Sequence, residues 1–162
     1  MTMETASPMV AIGQEAPDFE LRDTEGQIVK LSDFRGERNV LLLFYPFAFS
    51  GVCHSEFCEL RDRNVDLMAG DTEVIGISID HVFTLRAWKE QEKFPNRFVA
   101  DFWPHGAVSQ AYGAFNHERG MSLRHGFLID KRGIIRFIDR VETRTARDQD
   151  AWREALASLG TD

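Results

Sequence analysis

Cysteine is scarce in this chain: Cys53 and Cys58 are the only two among 162 residues. Two thiols cannot build the disulfide framework of a small secreted domain, so in a reducing compartment their use is chemical or metal-binding. Metal is the weaker use. A lone C-x₄-C pair lacks the second half of a usual zinc set, His54 is the only histidine beside it, and His81, His105, His117 and His125 are scattered. Long apolar runs are also missing. The longest, Val40 to Phe49, is too short to span a bilayer as a helix, so no membrane partner is expected. Met1 to Pro8 carries Glu4 and has no basic segment followed by an apolar one, which makes the cytoplasm the expected location. Positive charge is thin: the formal charge is −7 and no run of Lys or Arg forms a phosphate-binding stripe, which argues against nucleic acid as a partner. There is no G-x-S-x-G element for a serine hydrolase and no G-x-x-x-x-G-K or G-x-G-x-x-G loop for a nucleotide. The C-x-x-C pair of a general disulfide oxidoreductase is absent as well. Nothing in the pattern implies a cofactor.

What is present is the material of an α/β domain. A mobile tail is expected over Met1 to Pro8 and a single domain over residues 9–162. Asp23 to Gly26 reads as a hairpin turn before a short strand at Gln27 to Leu31, and Val40 to Tyr45 as a buried strand ending at Pro46. A helix is expected from near Gly51 towards Met68, with Phe57, Leu60, Asn64, Leu67 and Met68 on one face. Thr72 to Ile79 is a second near-continuous strand, after which Asp80 is placed to cap a helix over His81 to Lys93. Phe98 to Ala100 is short and ambiguous, and Ala107 to Tyr112 is a short helix closed by Gly113. Lys131-Arg132-Gly133 separates two β-prone runs as a hairpin, and Arg147 to Leu159 reads as a terminal helix. Strands alternating with helices predict a central mixed β-sheet flanked by helices.

Cys53 stands where the first buried strand gives way to a helix. In the first helical turn, unpaired N–H groups and the helix dipole favour a thiolate, the form a cysteine nucleophile needs. Cys58 follows five residues later.

The segment Pro46-x-x-x-Ser50-x-x-Cys53 resembles the peroxiredoxin signature Pro-x-x-x-(Thr/Ser)-x-x-Cys. Further matches lie at Ala16-Pro17-Asp18-Phe19, Gln110-Ala111-Tyr112-Gly113 and Arg124-His125-Gly126-Phe127-Leu128-Ile129-Asp130. Within that family the chain is similar to the PrxQ (bacterioferritin-comigratory protein) and AhpE-like groups, with Asp101 to Gly106 pointing to the AhpE-like side. The resemblance implies a thioredoxin-like fold and thiol-dependent reduction of hydrogen peroxide and organic hydroperoxides. It implies roles residue by residue: Cys53 as peroxidatic nucleophile, Ser50 as the hydroxyl that holds the peroxide oxygens, Pro46 as the shield of the pocket. Arg124 would stabilise thiolate and transition state, and Glu56 would organise the arginines. His54 departs from the proline or threonine frequent at its position.

The PrxQ-like proteins also imply Cys58 as a resolving cysteine, recycled by thioredoxin. The usual AhpE-like enzyme lacks that cysteine and depends on an outside thiol. On an ideal helix, positions five apart are about 7.5 Å apart along the axis and point in different directions, too far for a disulfide unless the first turns unravel. The alternatives are a one-cysteine enzyme resolved by an external thiol or glutaredoxin-like protein, and a redox-signalling or chaperone-like protein. Phe102, Trp103 and Tyr112 are candidates for a homodimer contact, as relatives use that region.

Overall fold

The computed structural model describes residues 9–159, so the tail expected over Met1 to Pro8 lies outside the described residues. In chain order the elements are β1 (Glu20–Asp23), β2 (Ile28–Lys30), β3 (Asn39–Phe44), α1 (Gly51–Arg63), β4 (Thr72–Ser78) and α2 (Val82–Glu92). They continue through β5 (Arg97–Ala100), α3 (Ala107–Ala111), β6 (Phe115–Asn116), β7 (Met121–Ser122), β8 (His125–Ile129), β9 (Ile135–Arg140) and α4 (Gln149–Leu159). Among the described residues, a seven-stranded sheet runs in the order β2-β1-β5-β4-β3-β8-β9. β3, β4 and β5 are parallel, and the outer strands pair antiparallel, so the sheet is mixed as expected.

β3 lies inside the sheet, between β4 and β8, and its side chains alternate between two cores. Leu41, Leu43 and then Tyr45 face one core, shared with Phe57 and Leu60 of α1, Leu85 and Trp88 of α2 and Trp152 of α4. Val40, Leu42 and Phe44 face the other, shared with Phe19, Val29, Tyr112 and Phe127. Burial on both faces is why the strand reads as a continuous apolar run. Phe57 is fully buried, which stabilises the docking of α1 by about 1.5–3 kcal/mol. It packs edge-on to Tyr45 and Trp88 and beside Phe98. That cluster needs Gly76 in β4: a Cβ there would come within 2.7 Å of the Phe98 ring and 3.1 Å of Phe57. No helix of the described residues is long and apolar enough to cross a membrane.

Several expected boundaries move, each for a tertiary reason. The helix expected to reach Met68 stops at Arg63, and Val65–Met68 forms a 3₁₀ turn. Asn64 breaks it, its carboxamide donating to Gln149 Oε1 at 2.7 Å and accepting from Arg153. Asp80 does not cap α2. His81 does, its Nδ1 accepting from the Phe83 N–H, while Asp80 turns to accept the Ala48 N–H at 2.8 Å. The ambiguous Phe98 to Ala100 lies in β5, and α4 starts at Gln149 because Arg147 is drawn inward. Phe102 and Trp103 are exposed (47% and 78%), but Tyr112 is buried in the core and is no surface contact.

Candidate active site

The site forms at the C-terminal end of β3. The loop Pro46 to Ser50 crosses from strand to helix, with Pro46 buried and Phe47 and Phe49 exposed at its outer side. Its shape is held from the neighbouring strand: the Asp80 carboxylate accepts from the Ala48 N–H and from the Ser78 hydroxyl, both at 2.8 Å. Phe49 takes a left-handed backbone conformation, φ +68°, uncommon for a residue with a side chain. Ser50 occupies the N-cap position of α1 without capping it; its hydroxyl donates to the Phe47 carbonyl at 2.9 Å.

Cys53 lies in the first turn of α1 and is fully buried. Arg124, from the chain just before β8, reaches it: Nη2 donates to the Cys53 sulfur at 3.0 Å while Nε donates to the Thr143 carbonyl at 3.1 Å. The third nitrogen, Nη1, lies 3.5 Å from Glu56 Oε1 and makes no hydrogen bond. That nitrogen thus keeps an ionic contact with Glu56 but has a hydrogen bond left to give.

Glu56, one turn beyond Cys53 on the same helix, is 1% exposed. Arg147 grips it. The Arg147 backbone N–H donates to Oε2 at 2.9 Å, Nε donates to both carboxylate oxygens at 3.1 Å, and Nη2 closes on Oε1. Arg147 Nη1 donates to the carbonyls of Phe44 and His125, fastening the guanidinium to β3 and β8. Burial by itself would raise the Glu56 carboxyl. The charge and hydrogen bonds of Arg147, aided by the charge of Arg124, overcome this and hold it below its ordinary range. Two buried guanidinium groups thus face one carboxylate, which leaves positive charge in excess beside the Cys53 sulfur. Nearby His125 is pushed down to about 4, first by burial and then by the charges of Arg140 and Arg147, so its imidazole adds no further positive charge near neutral pH.

Cys58 sits apart from this set, half-buried, and both cysteines are free thiols. Burial pushes the Cys58 thiol up, an effect that the neighbouring Arg61 charge does not cancel. Ligand atoms of His54, Cys58 and Glu92 lie within 4.8 Å of one another. That trio has donor types suited to a soft metal, but its surroundings oppose one. The Trp88 indole N–H donates to His54 Nδ1 at 3.4 Å, which places the proton of a neutral ring on Nε2, where a metal would bind. Arg61 Nη1 already stands 3.6 Å from the Glu92 carboxylate.

Of the residues singled out from the sequence, the structure brings Cys53, Arg124 and Glu56 into one cluster. Pro46 and Ser50 lie in the loop leading to it, and Cys58 is separate. Sequence reasoning missed Arg147 and Asp80 as parts of the site. No local pattern marks either: each acts through a partner far away in the chain.

The model of the AhpC/TSA family matches residues 12–138. Alkyl hydroperoxide reductase E of Mycobacterium tuberculosis is 44% identical over 151 residues, covering 93% of this chain and 99% of that one. The chloroplastic 2-Cys peroxiredoxin BAS1 of Spinacia oleracea is 35% identical, over 80% of this chain and 52% of its own. Among solved structures, the reduced 2-Cys peroxiredoxin of Plasmodium vivax superposes with a TM-score of 0.81 at 27% identity, covering 92% of this chain and 82% of that one.

Proposed function

The chain belongs to the AhpC/TSA family of peroxiredoxins and is a thiol peroxidase, and on that premise we propose that Cys53 is its peroxidatic nucleophile and Cys58 its resolving partner. The observation that carries the first assignment is the Arg124 guanidinium, 3.0 Å from the Cys53 sulfur, with a second nitrogen that makes no hydrogen bond. The thiolate attacks one peroxide oxygen, the O–O bond breaks, and the other oxygen leaves with its electron pair to be protonated as water or an alcohol. Arg124 Nη1 and backbone N–H groups at the start of α1 supply donors for charge on the departing oxygen. Ser50 exchanges its bond to the Phe47 carbonyl for one to the peroxide, and Pro46 shields the sulfur without a competing donor. Glu56 and Arg147 hold Arg124 in place.

The sulfenic acid on Cys53 then meets the Cys58 thiol, giving a disulfide and water, and a dithiol reductant such as thioredoxin returns both thiols. The first turns of α1 must unwind for this. Hydrogen peroxide and organic hydroperoxides are the substrates, in line with the name of the alkyl hydroperoxide reductase relative. The exposed Phe102 and Trp103 suit a homodimer contact, and the cytoplasm suits a pair of working thiols within one domain over residues 9–162.

A second reading is a one-cysteine cycle resolved by an external thiol. The intact helix between the cysteines and the protonated state favoured for Cys58 speak for it. One equivalent of hydrogen peroxide, added to reduced protein, separates the two by intact mass and peptide mapping. Loss of two hydrogens with a linked Cys53–Cys58 peptide supports the two-cysteine route. Oxygen added to Cys53 with Cys58 still a thiol overturns it.

A further inference from the structure

The unwinding that would bring Cys53 to Cys58 has to release whatever holds the first turn of α1 against the rest of the molecule. Besides the packing of Phe57 on Trp88, two polar side chains tie α1 to α2, one early in the helix and one late. The late tie is Arg61, whose Nη1 donates to the Glu92 carbonyl at 2.5 Å and stands 3.6 Å from its carboxylate. The early tie is His54, directly after Cys53. Its Nδ1 accepts from the Trp88 indole at 3.4 Å, and its Nε2 lies 3.8 Å from Glu92 Oε2. Trp88 itself is immobilised, fully buried against Tyr45, Phe57, Phe94 and Phe98. The His54 ring also borders Cys58, with ligand atoms of His54, Cys58 and Glu92 all within 4.8 Å.

We infer that His54 is a positioning residue for the resolving step: a catch that fastens the Cys53 turn to α2 and occupies the approach to the Cys58 sulfur. This rests on Cys58 being the resolving cysteine. When the catch opens, Arg61 still anchors the Cys58 half of the helix, so the freed turn carries Cys53 towards a sulfur that stays in place. The catch therefore sets a partition. Cys53 sulfenic acid and the Cys58 thiol give disulfide plus water. The same sulfenic acid, if it waits in the folded site, meets a second hydroperoxide and becomes sulfinic acid, releasing water or alcohol. A tight catch favours the second fate.

The test follows two rates in the full chain by quenched-flow mass spectrometry, sulfenic acid formation and disulfide formation, together with the peroxide concentration at which half of Cys53 becomes sulfinic acid. In His54→Ala, disulfide formation is expected to rise about fivefold, the worth of one ordinary hydrogen bond. The half-overoxidation concentration should rise by the same factor, while sulfenic acid formation stays within about twofold of wild type. Glu92→Gln, which removes only the carboxylate charge, should shift the partition the same way by less. Unchanged or slower disulfide formation in His54→Ala, with normal sulfenic acid formation, overturns the inference and leaves the role of Cys58 standing. Absence of a Cys53–Cys58 disulfide in the wild-type protein overturns both.

Discussion

Cys53, in the first turn of α1, has a guanidinium nitrogen 3.0 Å from its sulfur and a buried carboxylate–guanidinium pair one turn below, whereas Cys58, on the same helix, lies at a half-buried seam with α2 where burial favours the neutral thiol. The positive charge near Cys58 is already engaged: Arg61 is paired with Asp62 and lies beside Glu92. Near Cys53 the positive charge exceeds the negative, and the groups that carry it are buried. A helix position alone does not make a reactive thiol. Cys53 adds to its helix N-terminus a buried surplus of cationic charge, which Cys58 lacks.

The comparison breaks most completely with Cys53→Ser. Peroxide consumption should fall to background while the urea midpoint stays close to wild type; turnover at the normal rate would refute the assignment of the nucleophile. Glu56→Gln strips the ionic frame that distinguishes the Cys53 side. It leaves Arg147 buried without its counter-charge and is expected to cost about 3–5 kcal/mol in urea unfolding. The pH dependence has a definite sign. Because the arginines outweigh burial, the Glu56 carboxyl titrates in the folded protein below its free value of 4.5. Its contribution is therefore full above about pH 4.5 and is lost as pH falls through the lower, folded value. The gap between wild type and variant should close in that acid range and remain constant near neutrality.

Arg124→Met keeps the Glu56–Arg147 pair and removes the donor at the sulfur. Loss of the Cys53 thiol with peroxide, followed by stopped flow, should slow by about 10²–10³; a change under tenfold would assign most of the activation to the helix N-terminus. Cys58→Ser should have the smallest effect on that same step, within about twofold, while abolishing the intramolecular disulfide. Retained multiple turnover with thioredoxin in this variant would transfer resolution to an outside thiol.

The parts of this site that were legible in the sequence are those written locally. The apolar run of β3, the proline that ends it, the cysteine in the first turn of a helix and the hairpin at Lys131 to Gly133 each depend on neighbours a few residues away. Arg124 and Glu56 were reached through the family resemblance, and their convergence on Cys53 appears only when β8 lies beside β3. By local pattern Arg147 reads as the start of a terminal helix. It lies ahead of α4 because its backbone N–H and guanidinium are both spent on Glu56. Asp80 has the chemistry of a helix cap, and local pattern assigned it that use. The loop bearing Ala48 offered its N–H instead, and His81 was free to cap. In both cases a tertiary partner outcompeted the local one.

The grip of Arg147 on Glu56 also has a consequence in time. The two residues are 91 positions apart, and a ribosome adding about 5–20 residues per second places them roughly 5–18 s apart at the exit of synthesis. Throughout that interval the strand, the cysteine turn and the carboxylate exist without the cation that allows Glu56 to be buried. A segment made 91 positions later is therefore the piece that lets the first turns of α1 close, and the nascent chain carries the cysteine turn for seconds before it carries the buried charge that frames it.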